Sequence, residues 1–285
     1  STPFTSCAKV DTGIECRHMK RTLFVLLAGV LVLSGAGVAY ANHAWGNYHW
    51  ARTANPFTLA VVDSVTQQWD ANLDTSISDW SASSVLNLAK EEGSTNTTDR
   101  KRCKPIAGKI RACNQSYGKV GWLGIASIYA SGDHITQATT KLNDTYFNTA
   151  TYNTAQWKNL VMCQEIAHDF GLDHQDEVFS NANLGTCMDY TNNPATNQHP
   201  NQHDFDMLQT IYTHLDSSST IAATVVTNPQ DEVTEDPRTW GRETQRSNDS
   251  RASVYERTLR DGTTVITHVF WAEGGHAHEH EERSR

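Results

Sequence analysis

Hydrophobic positions along the chain recur with two different periods. Phe57-Thr58-Leu59-Ala60-Val61-Val62 is a short apolar run after Pro56 and predicts a strand. Trp69, Leu73, Ile77 and Trp80 follow at spacings of four, four and three, the period of an amphipathic helix. Residues 84–90 alternate as a second strand, and 93–99 form a Ser/Thr/Asn loop. Residues 121–129 read as a third strand whose glycines suit close backbone approach. A helix is predicted over 154–170, with Trp157, Leu160, Val161, Ala167 and Phe170 as core positions. A last helix over 203–215 carries Phe205, Leu208, Ile211, Tyr212 and Leu215 on one side, with Asp204 near its N-terminus. Strands mixed with long helices predict an α/β (α+β) sandwich built on one sheet. From Ser217 onward the composition turns polar, and 217–285 reads as a tail with one hairpin at 253–272 around Asp261-Gly262. No internal repeat is visible.

The longest apolar run lies at the N-terminal end. Met19-Lys20-Arg21 precedes an apolar stretch to Leu33, then Ala39-Tyr40-Ala41, which is the layout of a secretory signal peptide over 19–41, cut after Ala41. Residues 1–18 precede that methionine and read as a gene-model extension. Export fits the cysteines, since Cys103, Cys113, Cys163 and Cys187 follow the leader and four cysteines in an exported chain imply two disulfides. Three connectivities are possible. Cys103–Cys113 is favoured because it closes a short basic loop, and it leaves Cys163–Cys187.

Charge narrows the partners rather than naming one. The full chain has 23 Lys and Arg against 32 Asp and Glu, a net charge of -9, and cleavage after Ala41 would leave 19 against 30, or -11. With 38% hydrophobic residues this is neither a nucleic-acid wrapper nor a disordered acidic tail. The expected protein is a secreted monomer that binds no nucleic acid and no membrane after signal cleavage.

One constellation carries chemistry. Residues 164–174 read Gln164-Glu165-Ile166-Ala167-His168-Asp169-Phe170-Gly171-Leu172-Asp173-His174. On a helix, 164 and 168 lie one turn apart on one face, with Glu165 beside them. Gly171 can end the helix in a left-handed conformation and return His174 to the same point. Two imidazoles, a third donor and an adjacent carboxylate suit a Zn2+ site with an open position for water, with Glu165 as general base and then acid.

This stretch resembles the metzincin metallopeptidases, and within them the matrixin-like secreted enzymes, whose pattern is H-E-x-x-H-x-x-G-x-x-H followed by a methionine turn. Glu165, His168, Gly171 and His174 match; Gln164 stands in place of the first histidine. Met188 falls where the methionine turn is expected, and Tyr190 resembles a tyrosine that approaches the metal or steadies the transition state. The resemblance covers 55–215. It implies a twisted, mostly parallel sheet with an antiparallel edge strand, an active-site helix followed by the methionine turn, a catalytic domain over 42–216, and one catalytic zinc. It places 121–129 at the rim of a cleft where a protein or peptide substrate would bind by strand addition. It also gives Cys163–Cys187 a role, stapling the turn beneath the helix.

Gln164 leaves three outcomes open. Its carboxamide oxygen coordinates, or water or Asp173 completes the shell, or the site is empty. The primary expectation is therefore a secreted zinc metalloendopeptidase. The alternatives are a catalytically impaired relative that binds extended peptides, and a metal-binding protein acting through its His276, His278 and His280 end. His134, His199 and His203 are weighed as a second metal group, but their spacing is irregular and His203-Asp204 reads better as the start of the last helix; for His276, His278 and His280 a solvated tail is the better reading. No D-x-[DN]-x-[DN]-G loop supports Ca2+. No cysteine occurs between Asn42 and Pro56 to serve as a pro-segment switch.

Overall fold

Alternating buried and exposed positions make residues after Pro56 a strand with one face inward, and the helix that follows buries Trp69, Leu73 and Trp80 as its period predicts, with Ile77 only partly buried. The computed structural model describes residues 43–223 and 232–275. The expected leader, the extension before it and the His276–His280 stretch lie outside the described residues. In chain order the elements are β1 (His49–Trp50), β2 (Phe57–Ser64), α1 (Gln67–Trp80), β3 (Leu86–Glu92), α2 (Thr97–Arg102), β4 (Lys109–Gln115), β5 (Trp122–Ser131), β6 (His134–Asn143), α3 (Asp144–Phe147), α4 (Ala155–His168), α5 (Gln202–Ile211), β7 (Arg242–Arg246), β8 (Ala252–Thr258) and β9 (Thr264–Trp271).

All nine strands join one mixed sheet in the order β3-β2-β4-β6-β5-β9-β8-β7, with β1 beside the start of β6. The half β3-β2-β4-β6 is parallel, as expected. β5 runs antiparallel to β6, also as expected, but it is not an edge: β9 pairs with it from Trp122 to Ala130. The hairpin expected at 253–272 is present and gains a third strand, β7. It continues the sheet instead of forming a separate tail.

That continuation explains the burial of β5, where every residue from Trp122 to Ala130 is buried. On one face Leu123 and Ile128 join the main core with α1, α4, Ile266 and Phe270. On the other, Trp122, Ile125 and Tyr129 pack with Val233, Trp240, Tyr255, Val265 and Trp271. A strand covered on both faces and both edges carries few exposed polar positions, so its sequence is a near-continuous apolar run.

Besides the short β1 and β7, two long strands escaped the pattern reading. β4 and β6 are rich in Thr, Lys, Arg, Asn and Gln, yet mostly buried. Specific partners satisfy them: the Thr140 hydroxyl donates to Asp169 Oδ2 at 2.7 Å, and Lys141 Nζ donates to the Val233 carbonyl. Helix ends also shifted. α2 occupies part of the expected 93–99 loop, capped by the Asn96 side chain. α5 stops at Ile211 because the chain turns at Tyr212, whose hydroxyl donates to Phe170 O at 2.9 Å; Leu215 lies outside the helix and is exposed. Asn201 and Asp204 form a reciprocal capping box at its start.

Candidate metal centre

α4 begins where the Thr154 side chain caps it, accepting from Trp157 N–H, and from Leu160 onward all of its residues are buried. Gln164, Glu165 and His168 emerge on the side facing β5. Gly124 makes that approach possible: a Cβ there would lie 2.9 Å from Glu165 Cγ and 2.6 Å from Val161. Gly171 has φ +93°, and a Cβ on it would meet the Tyr48 carbonyl at 2.2 Å, so the left-handed turn expected after the helix is present and admits no side chain. The turn brings His174 back to His168, with their Nε2 atoms 3.1 Å apart.

The third imidazole comes from the other end of the chain. His268, on β9 opposite Ala126 of β5, groups with His168 and His174, all three buried, with donor atoms within 4.8 Å of one another. In two of the rings Nδ1 is hydrogen-bonded to an oxygen, His168 to Leu172 O at 2.8 Å and His268 to Glu165 Oε2 at 3.1 Å, while His174 Nδ1 lies 3.2 Å from Asp173 Oδ1. Holding Nδ1–H this way leaves Nε2 with its lone pair, the arrangement found in metal-ligating histidines. Two bare Nε2 atoms at 3.1 Å repel unless a proton or cation lies between them. Donors about 2.0–2.1 Å from a tetrahedral zinc are about 3.3 Å apart, so the spacing fits such an ion.

Burial sets the electrostatics. It pushes the His168 and His174 pKa values well below the ordinary imidazole value, and the neighbouring rings push them further, so both rings are neutral at pH 7. Burial also raises the Glu165 carboxyl, with His268 pulling it partly back. Tyr190, buried among acidic groups, has its phenol held well above 10; its OH lies 3.3 Å from His268 Nε2. A protonated phenol there is a hydrogen-bond donor.

Other expected residues fall as follows. Gln164 is buried, and neither of its carboxamide atoms has a hydrogen-bond partner in the protein. A buried amide without a partner, one helical turn before His168, is unusual for a packing residue. Cys163–Cys187 and Cys103–Cys113 are both paired. Met188 is fully buried in a turn at 187–188, its carbonyl accepting from Gln175 N–H. His134, His199 and His203 do not assemble: His199 pairs with Asp79, His203 stacks on His43, and His134 meets His49 across β1 and β6.

Sequence reasoning missed His268. The strand was visible, and period two puts Ile266, His268 and Phe270 on one face, but no local signal says which helix that face meets. The hairpin is clasped to the same region: Arg251 lies over the Phe179 ring and donates to Asn192 Oδ1 at 2.6 Å and Trp271 O at 3.1 Å. Gln245 donates to Glu177 at 2.6 Å. No protein-family profile matches the chain, and no curated protein sequence matches it.

Proposed function

We propose that the chain is an exported zinc-dependent endopeptidase of metzincin-like design, held closed by its own C-terminal hairpin. The observation that carries this reading is the set of three buried imidazoles whose donor atoms lie within 4.8 Å of one another, beside a buried carboxylate. His168 and His174 would hold the ion, with Gln164 as third donor, and His268 fills the position that catalysis needs open. Bound zinc supplies Lewis acidity toward water and the scissile carbonyl. Glu165 accepts the proton of the attacking water and passes it to the leaving amine; its raised pKa suits both transfers. Tyr190 donates to the developing oxyanion. The main chain of β5 binds an extended peptide in the place β9 now takes, since both need the same antiparallel hydrogen bonds. Two disulfides fit an oxidising compartment, and among the described residues no helix is long and apolar enough to cross a membrane.

One observation favours a second reading. The imidazoles are enclosed and β5 has neighbours on both edges, which is how a closed, structural metal site looks. In that reading the protein keeps the ion and does not hydrolyse. Substituting His268 separates the two. In the peptidase, His268→Ala frees a coordination position and loosens β9, so hydrolysis of an unstructured peptide by the full chain rises at least tenfold. Adding Glu165→Gln removes it. A His268→Ala protein that binds zinc and cleaves nothing supports the closed structural centre.

A further inference from the structure

A second convergence of histidines lies where β1, the start of β6 and the segment after α5 meet. His49 Nε2 and His214 Nε2 are 3.1 Å apart, and Asp216 Oδ1 lies 3.5 Å from the first and 3.7 Å from the second. These three donors group as a possible cation site. His134 Nε2 reaches the same carboxylate oxygen at 3.2 Å. The four residues come from three segments far apart in the chain, so the contact is made by the tertiary fold.

The surroundings fix the donors as a metal site requires. His49 Nδ1 is 2.7 Å from the Asn47 carbonyl and must donate to it, so in the neutral ring Nε2 carries only its lone pair. That lone pair faces another imidazole nitrogen and lies near a carboxylate oxygen, so either a proton on His214 Nε2 or a cation must sit between the two rings. Asp216 is oriented too: Oδ2 accepts from Arg52 Nη1 at 2.9 Å and from Arg52 N–H at 3.1 Å, which leaves Oδ1 to the histidines. Arg52 Nη2 also donates to the His214 carbonyl, and Asn55 donates to Tyr212 O at 2.7 Å, tying the segment that carries His214 and Asp216 to residues 52–55. Such outer partners hold first-row metal ligands in place.

We infer that His49, His214 and Asp216 bind a divalent first-row transition-metal ion, zinc by donor set, with His134 beside its fourth position. The site is separate from the proposed peptidase centre and does not depend on it. Two nitrogens and one carboxylate oxygen at mutual distances of 3.1–3.7 Å bracket the spacing of about 3.3 Å set by a tetrahedral zinc. Bound there, the ion clips β1 to the chain beyond α5.

The test is zinc stoichiometry of the full chain, loaded with zinc chloride and dialysed, read by elemental analysis together with the zinc-dependent rise in melting temperature. His214 is half-exposed, so His214→Gln leaves no cavity, and Asp216→Asn keeps the side-chain shape; folding of both is checked by circular dichroism. Each is expected to lose one zinc equivalent and part of the melting-temperature rise, while His168→Ala loses a different equivalent and the double variant loses both. If His214→Gln and Asp216→Asn both keep the wild-type zinc content, the site does not exist. The proposal also fails if the second equivalent disappears only when His276, His278 and His280 are replaced, because that assigns it to the tail.

Discussion

The two histidine clusters are built in opposite ways from similar parts. In the first, His168 and His174 sit six residues apart on one helix-and-turn, and a single distant strand adds His268. Every ring there is buried, and desolvation keeps His168 and His174 neutral and raises the pKa of the neighbouring Glu165 carboxyl. In the second, no two histidines are local, His214 and His134 are half-exposed, and the carboxylate is itself a ligand candidate held by an arginine. A buried, dry cluster with a carboxylate beside the rings suits chemistry, because charge developing there is not screened by water. A half-exposed cluster whose carboxylate is already committed suits a clip. The same ligand types therefore serve different ends according to burial and to what the nearest acid is doing.

The sharpest way to break that contrast is to remove one ring from each cluster. His168→Ala is expected to lower peptide hydrolysis by three orders of magnitude or more in the His268→Ala background, since it removes a ligand of the proposed reacting centre; Glu165→Gln should lose roughly 10²–10⁴-fold as a lost general base. His214→Gln in that background should leave the turnover rate per folded molecule within about twofold. Rates on a quenched peptide, normalised to folded protein, check both. Equal losses from the two substitutions would erase the distinction.

A smaller effect tests why the first cluster is rigid. Cys163–Cys187 spans a sequence separation of 24 and joins the residue before Gln164 to the residue before Met188. Replacing both cysteines by serine should cost about 3 kcal/mol in denaturant unfolding, by the chain-entropy account. Zinc at the first cluster should then exchange faster, whereas zinc at the second should not, because no disulfide touches it. Unchanged exchange at the first cluster would make the staple a stability device alone.

Legibility in the sequence follows the same division. Local features were readable: the α1 face of Trp69, Leu73 and Trp80, the left-handed Gly171 and the 253–272 hairpin are set by neighbours within a few residues, and with only four cysteines after the leader, the short Cys103–Cys113 loop left Cys163–Cys187 as the second disulfide. β4 and β6 were not, because their polar side chains are satisfied by partners such as Asp169 and Val233 that only the fold supplies. His268 and the cluster of His49, His214 and Asp216 were invisible for the same reason. Periodicity tells which face a side chain takes, not what meets that face. Likewise the polar composition after Ser217 described the surface of the C-terminal segment and concealed that its strands cover β5 on a second edge.

The subtlest expected effect concerns how the closing segment is anchored. Lys141 on β6 is fully buried, its Nζ donating to the Val233 carbonyl at the start of the segment that leads into β7. Burial lowers its pKa to about 8 from the ordinary 10.5, with Glu235 and Glu232 opposing the shift. Between those values the unfolded chain binds a proton that the native state has given up, so stability rises with pH across about 8 to 10.5 and is lost as pH falls through 8. At neutral pH the native lysine is charged and desolvated, which weakens the anchor. Lys141→Met should flatten the rise in melting temperature between pH 8 and 10.5 and leave zinc binding by His214 and Asp216 unchanged. If closure depends on this anchor, peptide hydrolysis by the wild-type chain will be greater after preincubation at pH 7 than at pH 9.5, both assayed at one pH, and Lys141→Met will remove that difference. A rise in melting temperature that persists in Lys141→Met would assign it to another group and free the hairpin from this control.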